Sequence, residues 1–138
     1  MLPLEIIVVG TPVSHQARNR QALRRWRQSV QAATQTSLPA NTPPVLDSVE
    51  LHVVYYHDED AAHLPDEDNL LKPIQDALQG HVYVNDSQVT DGTCRKRNLD
   101  DSFKVRGLSP VLAEGFVQGE EFIHITITPA PNPAVLTP

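Results

Sequence analysis

Apolar positions recur along the chain with two periods, and each period predicts a type of element. From Val49 to Tyr56 every second residue is apolar, which is typical of a strand with one face in a core. From Gln16 to Ala33 an apolar stripe repeats at the spacing of a helix. The stripe consists of Leu23, Trp26, Val30 and Ala33. The predicted strands are Leu4–Val9, Val49–Tyr56, Val89–Arg97 and Phe122–Ile127.

A second helix is predicted from about Asn69 to Leu78, because Gly80 is a favourable residue just past a helix end. Pro73 is tolerated only close to a helix start, so we expect this helix to begin near Asp68 with that aspartate as its N-cap. The stretch from Leu99 to Gly119 has no clear period, apart from a short helix near Pro110–Glu114.

The order of these elements predicts an α+β fold, an α/β-type mixed sheet of about four strands with two main helices. A chain of 138 residues with 40% apolar residues suits a single compact domain. We expect that domain to span residues 1–128, and the Pro-rich residues 129–138 to form a disordered tail. No apolar run is long enough to span a membrane, and the start lacks the basic segment of a secretory signal. The single cysteine, Cys94, suits a reducing cytoplasm.

Charge is unevenly distributed, although the net charge is −6. Between Ile6 and Leu46 there are five arginines and no acidic residue. A short acidic run follows, made of Asp58, Glu59, Asp60, Asp66, Glu67 and Asp68. A basic segment beside an acidic one is suited to binding a polyanion on one element and a divalent cation on the other.

The acidic run ends in the strongest local motif, in which Asp66 and Asp68 are two residues apart. In an extended segment such residues point to the same side, where two like charges favour a bound cation between them. Mg²⁺ prefers oxygen ligands of this kind, and Asp86 would supply a third carboxylate if the chain folds back. The alternative for the two aspartates is a helix cap and a solvated loop residue, and the alternative for Asp86 is a turn with Asn85.

Lys72 follows Asp68 by four residues, so both lie near the first turn of the predicted helix. Its alternative is an ion pair with Asp68 or with Asp76, at the i,i+4 spacing. The six histidines lack the spacing of a zinc site. The sequence also contains no glycine-rich phosphate loop, so we expect no nucleotide cofactor.

These residues resemble a known signature. The string Asp66-x-Asp68-Asn69-x-x-Lys72-x-x-x-Asp76-x-Leu78-x-Gly80, followed by Asp86-x-Gln88-Val89, is similar to that of the RusA-type Holliday junction resolvases. The opening Gly10-Thr11-Pro12-Val13-Ser14-x-Gln16 also resembles the first loop of that family. The resemblance covers roughly Ile6 to Arg97 and more loosely the last strand.

The resemblance implies a homodimeric, Mg²⁺-dependent endonuclease, with Mn²⁺ as an alternative ion, that cuts four-way DNA junctions in recombination and repair. It implies that Asp66, Asp68 and Asp86 bind metal and act in catalysis with Lys72, and that Asn69 and Asn85 support them. Many members carry two aspartates where this chain has Asn85 and Asp86. It also implies a cytoplasmic location, either on the nucleoid or as a phage-encoded protein.

Two basic clusters are the expected DNA contacts, since arginine forks suit phosphate oxygens. They consist of Arg18, Arg20, Arg24 and Arg27 in the first, and Arg95, Lys96 and Arg97 in the second. The alternative for such arginines is a solvated helix face. Two alternative functions stay open: a non-catalytic DNA-binding or phage accessory protein with the same fold, and a nuclease acting on other branched DNA or on RNA.

Overall fold

The computed structural model describes residues 1–58 and 63–136. In this part of the chain, four strands and three helices follow one another in the order β1-α1-β2-α2-β3-α3-β4. Their bounds are β1 Leu4–Val9, α1 Arg20–Ser37, β2 Val49–His57, α2 Glu67–Leu78, β3 Val89–Asn98, α3 Pro110–Val117 and β4 Phe122–Pro129. All four predicted strands and both main helices are therefore confirmed, and the short helix after residue 109 is longer than expected.

The four strands form one mixed sheet in the order β1-β4-β2-β3. β2 and β3 run parallel, while β4 lies antiparallel to both β1 and β2. The parallel pair is connected through α2, as such a pair requires a crossover rather than a tight turn. The predicted α+β fold with a mixed sheet is confirmed.

One face of the sheet carries the core, and the alternation in the sequence identifies it correctly. On β2 the side chains of Val49, Leu51, Val53 and Tyr55 are buried, as are those of Ile123, Ile125 and Ile127 on β4. Register places Val53 opposite Ile125, and Ile125 opposite Ile6 of β1. α1 and α2 pack on this face, with Trp26, Val30, Leu70 and Ile74 in the same core.

The opposite face of the sheet is covered by α3 through an aromatic cluster. Phe116 of α3 packs edge-on against Phe122 at 5.5 Å and against Tyr56 at 4.9 Å between ring centroids. Gly115 lies so close to the Phe122 ring that an added Cβ would stand 2.5 Å from it. Any larger residue at position 115 would force the Phe122 ring or α3 to shift, so glycine is what lets α3 approach the sheet this closely.

Both main helices begin at places that their caps explain. α1 begins at Arg20 rather than near Gln16, because the Asn19 side chain accepts a hydrogen bond from the backbone N–H of Ala22 at 3.0 Å. α2 begins at Glu67, and the Asp66 carbonyl accepts the first helical bond from Leu70 at 3.1 Å. The prediction that Asp68 is the N-cap is wrong: Asp68 lies inside the first turn, and Asp66 occupies the cap position.

β4 continues to Pro129, and the Ala130 backbone N–H donates to the Ser48 carbonyl at 3.1 Å. Residues 137–138 lie outside the described residues, and the disordered tail at residues 129–138 stays a prediction. Glu59 and Asp60 of the acidic run lie outside them as well. No helix in the described ranges is long and apolar enough to cross a membrane.

Candidate active site

The N-terminus of α2 presents Asp66 and Asp68 to solvent. Asp66 is extended, with φ −62° and ψ 154°, and Asp68 follows within the first helical turn. Both residues are exposed, and neither side chain has a hydrogen-bond or ion-pair partner among the described residues. Both carboxylates are consequently available to an external ligand at a helix end whose dipole favours anionic side chains.

Lys72, one helical turn later, joins two carboxylates. Its Nζ lies 2.7 Å from Asp86 Oδ2 and 2.9 Å from Asp76 Oδ1. Of the two i,i+4 alternatives in the sequence, the pair with Asp76 forms. The hydrogen bonds to Asp86 and then to Asp76 hold the pKa of Lys72 above its ordinary value, so Lys72 is a cation at neutral pH.

Asp86 reaches Lys72 because a local turn directs it there. Residues Asp86–Gln88 form one turn of 3₁₀ helix, capped by the Asn85 side chain, which accepts from the Ser87 backbone N–H at 2.9 Å. The Gln79 side chain accepts from the Asp86 backbone N–H at 2.9 Å and ties this turn to the end of α2. Asn85 thus caps the turn that carries Asp86, while the bond from Gln79 has no signal in the sequence.

The donor chemistry at this end of α2 suits a hard cation, although the three carboxylates do not form a ready-made cluster. In residues 1–58 and 63–136, no group of three His, Cys, Asp or Glu side chains could hold a metal ion as arranged. The structure brings Asp86 to Lys72, and it leaves Asp66 and Asp68 unpartnered on the same helix. Mg²⁺ commonly takes one or two protein carboxylates with waters and substrate phosphates completing its shell, so these residues fit it.

Lys96 supports the start of α2 from the neighbouring strand. Its Nζ donates to the Pro65 carbonyl at 3.1 Å and lies 3.4 Å from Glu67 Oε1. A backbone N–H bond and the Lys96 charge hold the pKa of Glu67 below its usual value. The Lys96 contact thus directs Glu67 toward β3. Burial and then the Glu67 charge raise the pKa of Cys94, beside Lys96, to about 11, so this thiol is not a nucleophile at neutral pH.

The second predicted basic cluster is divided by the sheet. In register with β2, Cys94 lies opposite core residue Val53, so Lys96 shares the face of α2 while Arg95 and Arg97 point to the other face. Because successive residues of a strand point to opposite faces, the sequence itself indicates that Arg95, Lys96 and Arg97 do not form one patch. Arg97 donates to the Lys96 carbonyl at 2.9 Å, and Arg95 has no partner among the described residues.

The first basic cluster is also divided by its contacts. Arg20 donates to the carbonyls of His15 and Ala17, at 3.0 and 3.3 Å, and Arg27 lies 3.5 Å from Asp76. Arg18 and Arg24 are exposed and make no hydrogen bond or ion pair within residues 1–58 and 63–136. Of this cluster, Arg18 and Arg24 are therefore able to meet an external anion such as a phosphate oxygen.

The loop after β1 connects this basic segment to the site. The His15 backbone N–H donates to the Asn69 carbonyl at 2.9 Å, so Asn69 holds the loop through its backbone. At the other end of the loop, the Thr11 hydroxyl donates to Glu121 at 2.7 Å. Glu121 is only 7% exposed and also accepts from Tyr55 at 2.8 Å. A buried carboxylate at a strand start carries no distinctive pattern, and the sequence does not single it out.

Comparison with known proteins bears on this geometry. Residues 9–106 match the model of a family described as Endodeoxyribonuclease RusA, which is more than half of the chain. The chain belongs to the RusA endodeoxyribonuclease family. The RusA match includes Asp66, Asp68, Lys72 and Asp86, and it ends before α3 and β4. No protein in a search of the curated sequences matches the chain. The resemblance found in the sequence is thereby confirmed.

Proposed function

We propose that this RusA-family chain is a Mg²⁺-dependent endonuclease that cuts four-way DNA junctions. The observation that carries the proposal is the 2.7 Å contact of Lys72 with Asp86, at the helix end where Asp66 and Asp68 are exposed. A cation in contact with one carboxylate, on a helix whose start exposes two more, supplies the kinds of groups that phosphodiester hydrolysis uses, and the family match includes all four residues.

Asp66, Asp68 and Asp86 would hold the metal. When bound, Mg²⁺ lowers the pKa of a coordinated water and neutralises charge on the scissile phosphate. Lys72 stays protonated because of its carboxylate partners, so its ammonium group stabilises the negative charge that develops on the phosphate oxygens. Mn²⁺, which also prefers oxygen ligands, would replace Mg²⁺ at the same residues.

We further propose that two copies act as a homodimer. A four-way junction presents two equivalent strands, and a two-fold symmetric protein offers one site to each. Paired nicks would then resolve the junction. Sedimentation of the protein at micromolar concentration tests this part by itself, and a monomeric protein that still cuts both strands would contradict it.

The decisive experiment incubates the protein with a labelled four-way junction, with and without Mg²⁺. Wild-type protein should give paired nicks only with the metal. Asp68→Asn and Lys72→Ala should each reduce the rate by about 100-fold or more, because each removes charge stabilisation of several kcal/mol. Asp47→Asn, at an exposed position in the loop before β2, is the matched control.

The alternatives separate in the same assay. A shifted gel band without product indicates a DNA-binding accessory protein. Faster cleavage of a fork, a flap or an RNA substrate than of the junction indicates a nuclease of different specificity. Wild-type rates in both Asp68→Asn and Lys72→Ala would show that the catalytic site lies elsewhere.

A further inference from the structure

Four charged side chains of alternating sign connect α1 to the candidate site. Arg27 Nη2 lies 3.5 Å from Asp76 Oδ2, Asp76 Oδ1 lies 2.9 Å from Lys72 Nζ, and Lys72 Nζ lies 2.7 Å from Asp86 Oδ2. Asp76 is the centre of this row of four charges, because each of its two carboxylate oxygens contacts a different cation. Neither Asp76 nor Arg27 is among the residues assigned to catalysis above.

Arg27 is held against α2 instead of extending into solvent. Its side chain is 32% exposed, and its Nε is buried without a hydrogen-bond partner in the described part of the chain. By contrast, Arg24 and Arg25 on the same helix are exposed. The side chain of Arg27 is therefore committed to the α1–α2 contact and poorly placed to bind a phosphate of DNA.

Lys72 needs an anchor because its flexible side chain samples many rotamers. Asp86 is one anchor, but the proposed function also assigns Asp86 to the metal. Asp76 is the remaining carboxylate on Lys72, and it projects from the next turn of the same helix, so its position relative to Lys72 is fixed by α2.

We infer that Asp76, oriented by Arg27, is the positioning residue for Lys72. The inference rests on the proposed function, because only that function gives Lys72 a phosphate to act on. Asp76 keeps the ammonium at the edge of the carboxylates whether or not Asp86 is engaged elsewhere. A small displacement of a catalytic group lowers the reaction rate strongly. A half-exposed ion pair, by contrast, contributes little to folding stability.

The test compares Asp76→Asn with wild-type protein and with the Asp47→Asn control. We expect the rate at saturating junction to fall about 10-fold or more, as for a misplaced catalytic group, with KM and junction affinity within about twofold. Asp76→Glu, which restores the charge, should recover part of the rate. An unchanged rate in Asp76→Asn, or an equal loss in Asp76→Glu, would overturn the inference.

A second measurement does not depend on cleavage. NMR relaxation of the Lys72 side-chain methylenes should show more rotamer averaging in Asp76→Asn than in the wild type, because one of its two carboxylate partners is lost. Unchanged mobility of the Lys72 side chain would overturn the inference even if the rate falls. If the wild-type protein cleaves no DNA, the proposed function fails, and this relaxation measurement still decides whether Asp76 holds Lys72.

Arg27→Gln and Arg25→Gln form a matched pair on α1. We expect Arg27→Gln to lower the rate at saturating junction, with little change in junction affinity, and Arg25→Gln to leave that rate unchanged. A loss of affinity without a loss of saturated rate in Arg27→Gln would assign Arg27 to DNA binding and would contradict its role in orienting Asp76.

Discussion

Glu121 offers the sharpest test of how the segments around the candidate site are held together. This buried carboxylate, on the residue just before β4, accepts hydrogen bonds from the Thr11 hydroxyl at 2.7 Å, the Tyr55 hydroxyl at 2.8 Å and the Asp58 backbone N–H at 2.8 Å. It thus ties together the loop after β1, the end of β2 and the segment that leads toward Asp66. The change to make is Glu121→Gln, which keeps the shape and removes the charge.

The expected cost follows from the three donors. A glutamine has one acceptor oxygen and an NH₂ group. Either the NH₂ group faces the Asp58 backbone N–H, which sets two donors against each other, or it faces the Thr11 and Tyr55 hydroxyls, which then lose their bonds to a charged oxygen. Leaving one buried group unsatisfied costs about 1–3 kcal/mol, and bonds to a charged acceptor are stronger than those to a neutral one. We therefore expect Glu121→Gln to lower the free energy of unfolding by about 1–3 kcal/mol at pH 7.

Acid provides an independent check with a definite sign. Burial pushes the pKa of the Glu121 carboxyl up, but the hydrogen bonds from Asp58, Thr11 and Tyr55 outweigh burial and hold that pKa below its usual value. A depressed folded pKa stabilises the protein fully above the unfolded pKa of about 4.3, and this stabilisation is lost as the pH falls through the folded value. The difference between wild type and Glu121→Gln should therefore shrink below about pH 4.

Urea unfolding between pH 7 and pH 3 measures both effects, with Glu120→Gln as the control. Glu120 is the adjacent residue and is exposed, so its change should have little effect. Equal stability of the two variants at pH 7 would refute the assigned hydrogen bonds. A difference that persists unchanged to pH 3 would refute the role of the ionised carboxylate.

Three further predictions address the fold and the DNA surface. Gly115→Ala should lower stability by about 1–3 kcal/mol through overpacking against the fully buried Phe122 ring, and an unchanged urea midpoint would show that the ring can move. Tyr83→Phe removes a 2.7 Å bond from a buried hydroxyl to a carbonyl of α2 and should cost about 1 kcal/mol in the same assay. Changing Arg18 and Arg24 together to Gln should reduce the slope of log K against log salt by about 2, and an unchanged slope would place the DNA surface elsewhere.

The strands and the sheet core were predictable because their signal is local. Along most of β2 and β4 the inward residues are apolar and their outward neighbours are polar, so the alternation identifies the buried face; on β2 the outward Val54 and the buried His57 are exceptions. The start of α2 was harder to predict, since Asp66 and Asp68 are both suitable caps and differ by half a turn. Only the backbone distinguishes them: the Asp66 carbonyl accepts the first helical bond.

The partners of the charged residues were not predictable from spacing. Lys72 has an acid within four residues on both sides, and its second partner, Asp86, lies fourteen residues away on a separate turn. Which acids it meets depends on where Gln79 and Asn85 direct that turn. Long-range contacts of this kind, including those of Glu121, are set by how elements pack and have no periodic trace in the chain.

The packing of the elements also directs some basic side chains toward α2 and leaves others exposed at the surface. Lys96 and Arg27 are basic residues near acidic ones, but each is directed inward, Lys96 to the Pro65 carbonyl before Asp66 and Arg27 to Asp76 beside Lys72. Both therefore act on the geometry of α2, the helix that carries Asp68 and Lys72 and has Asp66 at its N-cap. In a chain with net charge −6, we expect attraction of the substrate to fall to other basic residues, such as the exposed Arg18 and Arg24.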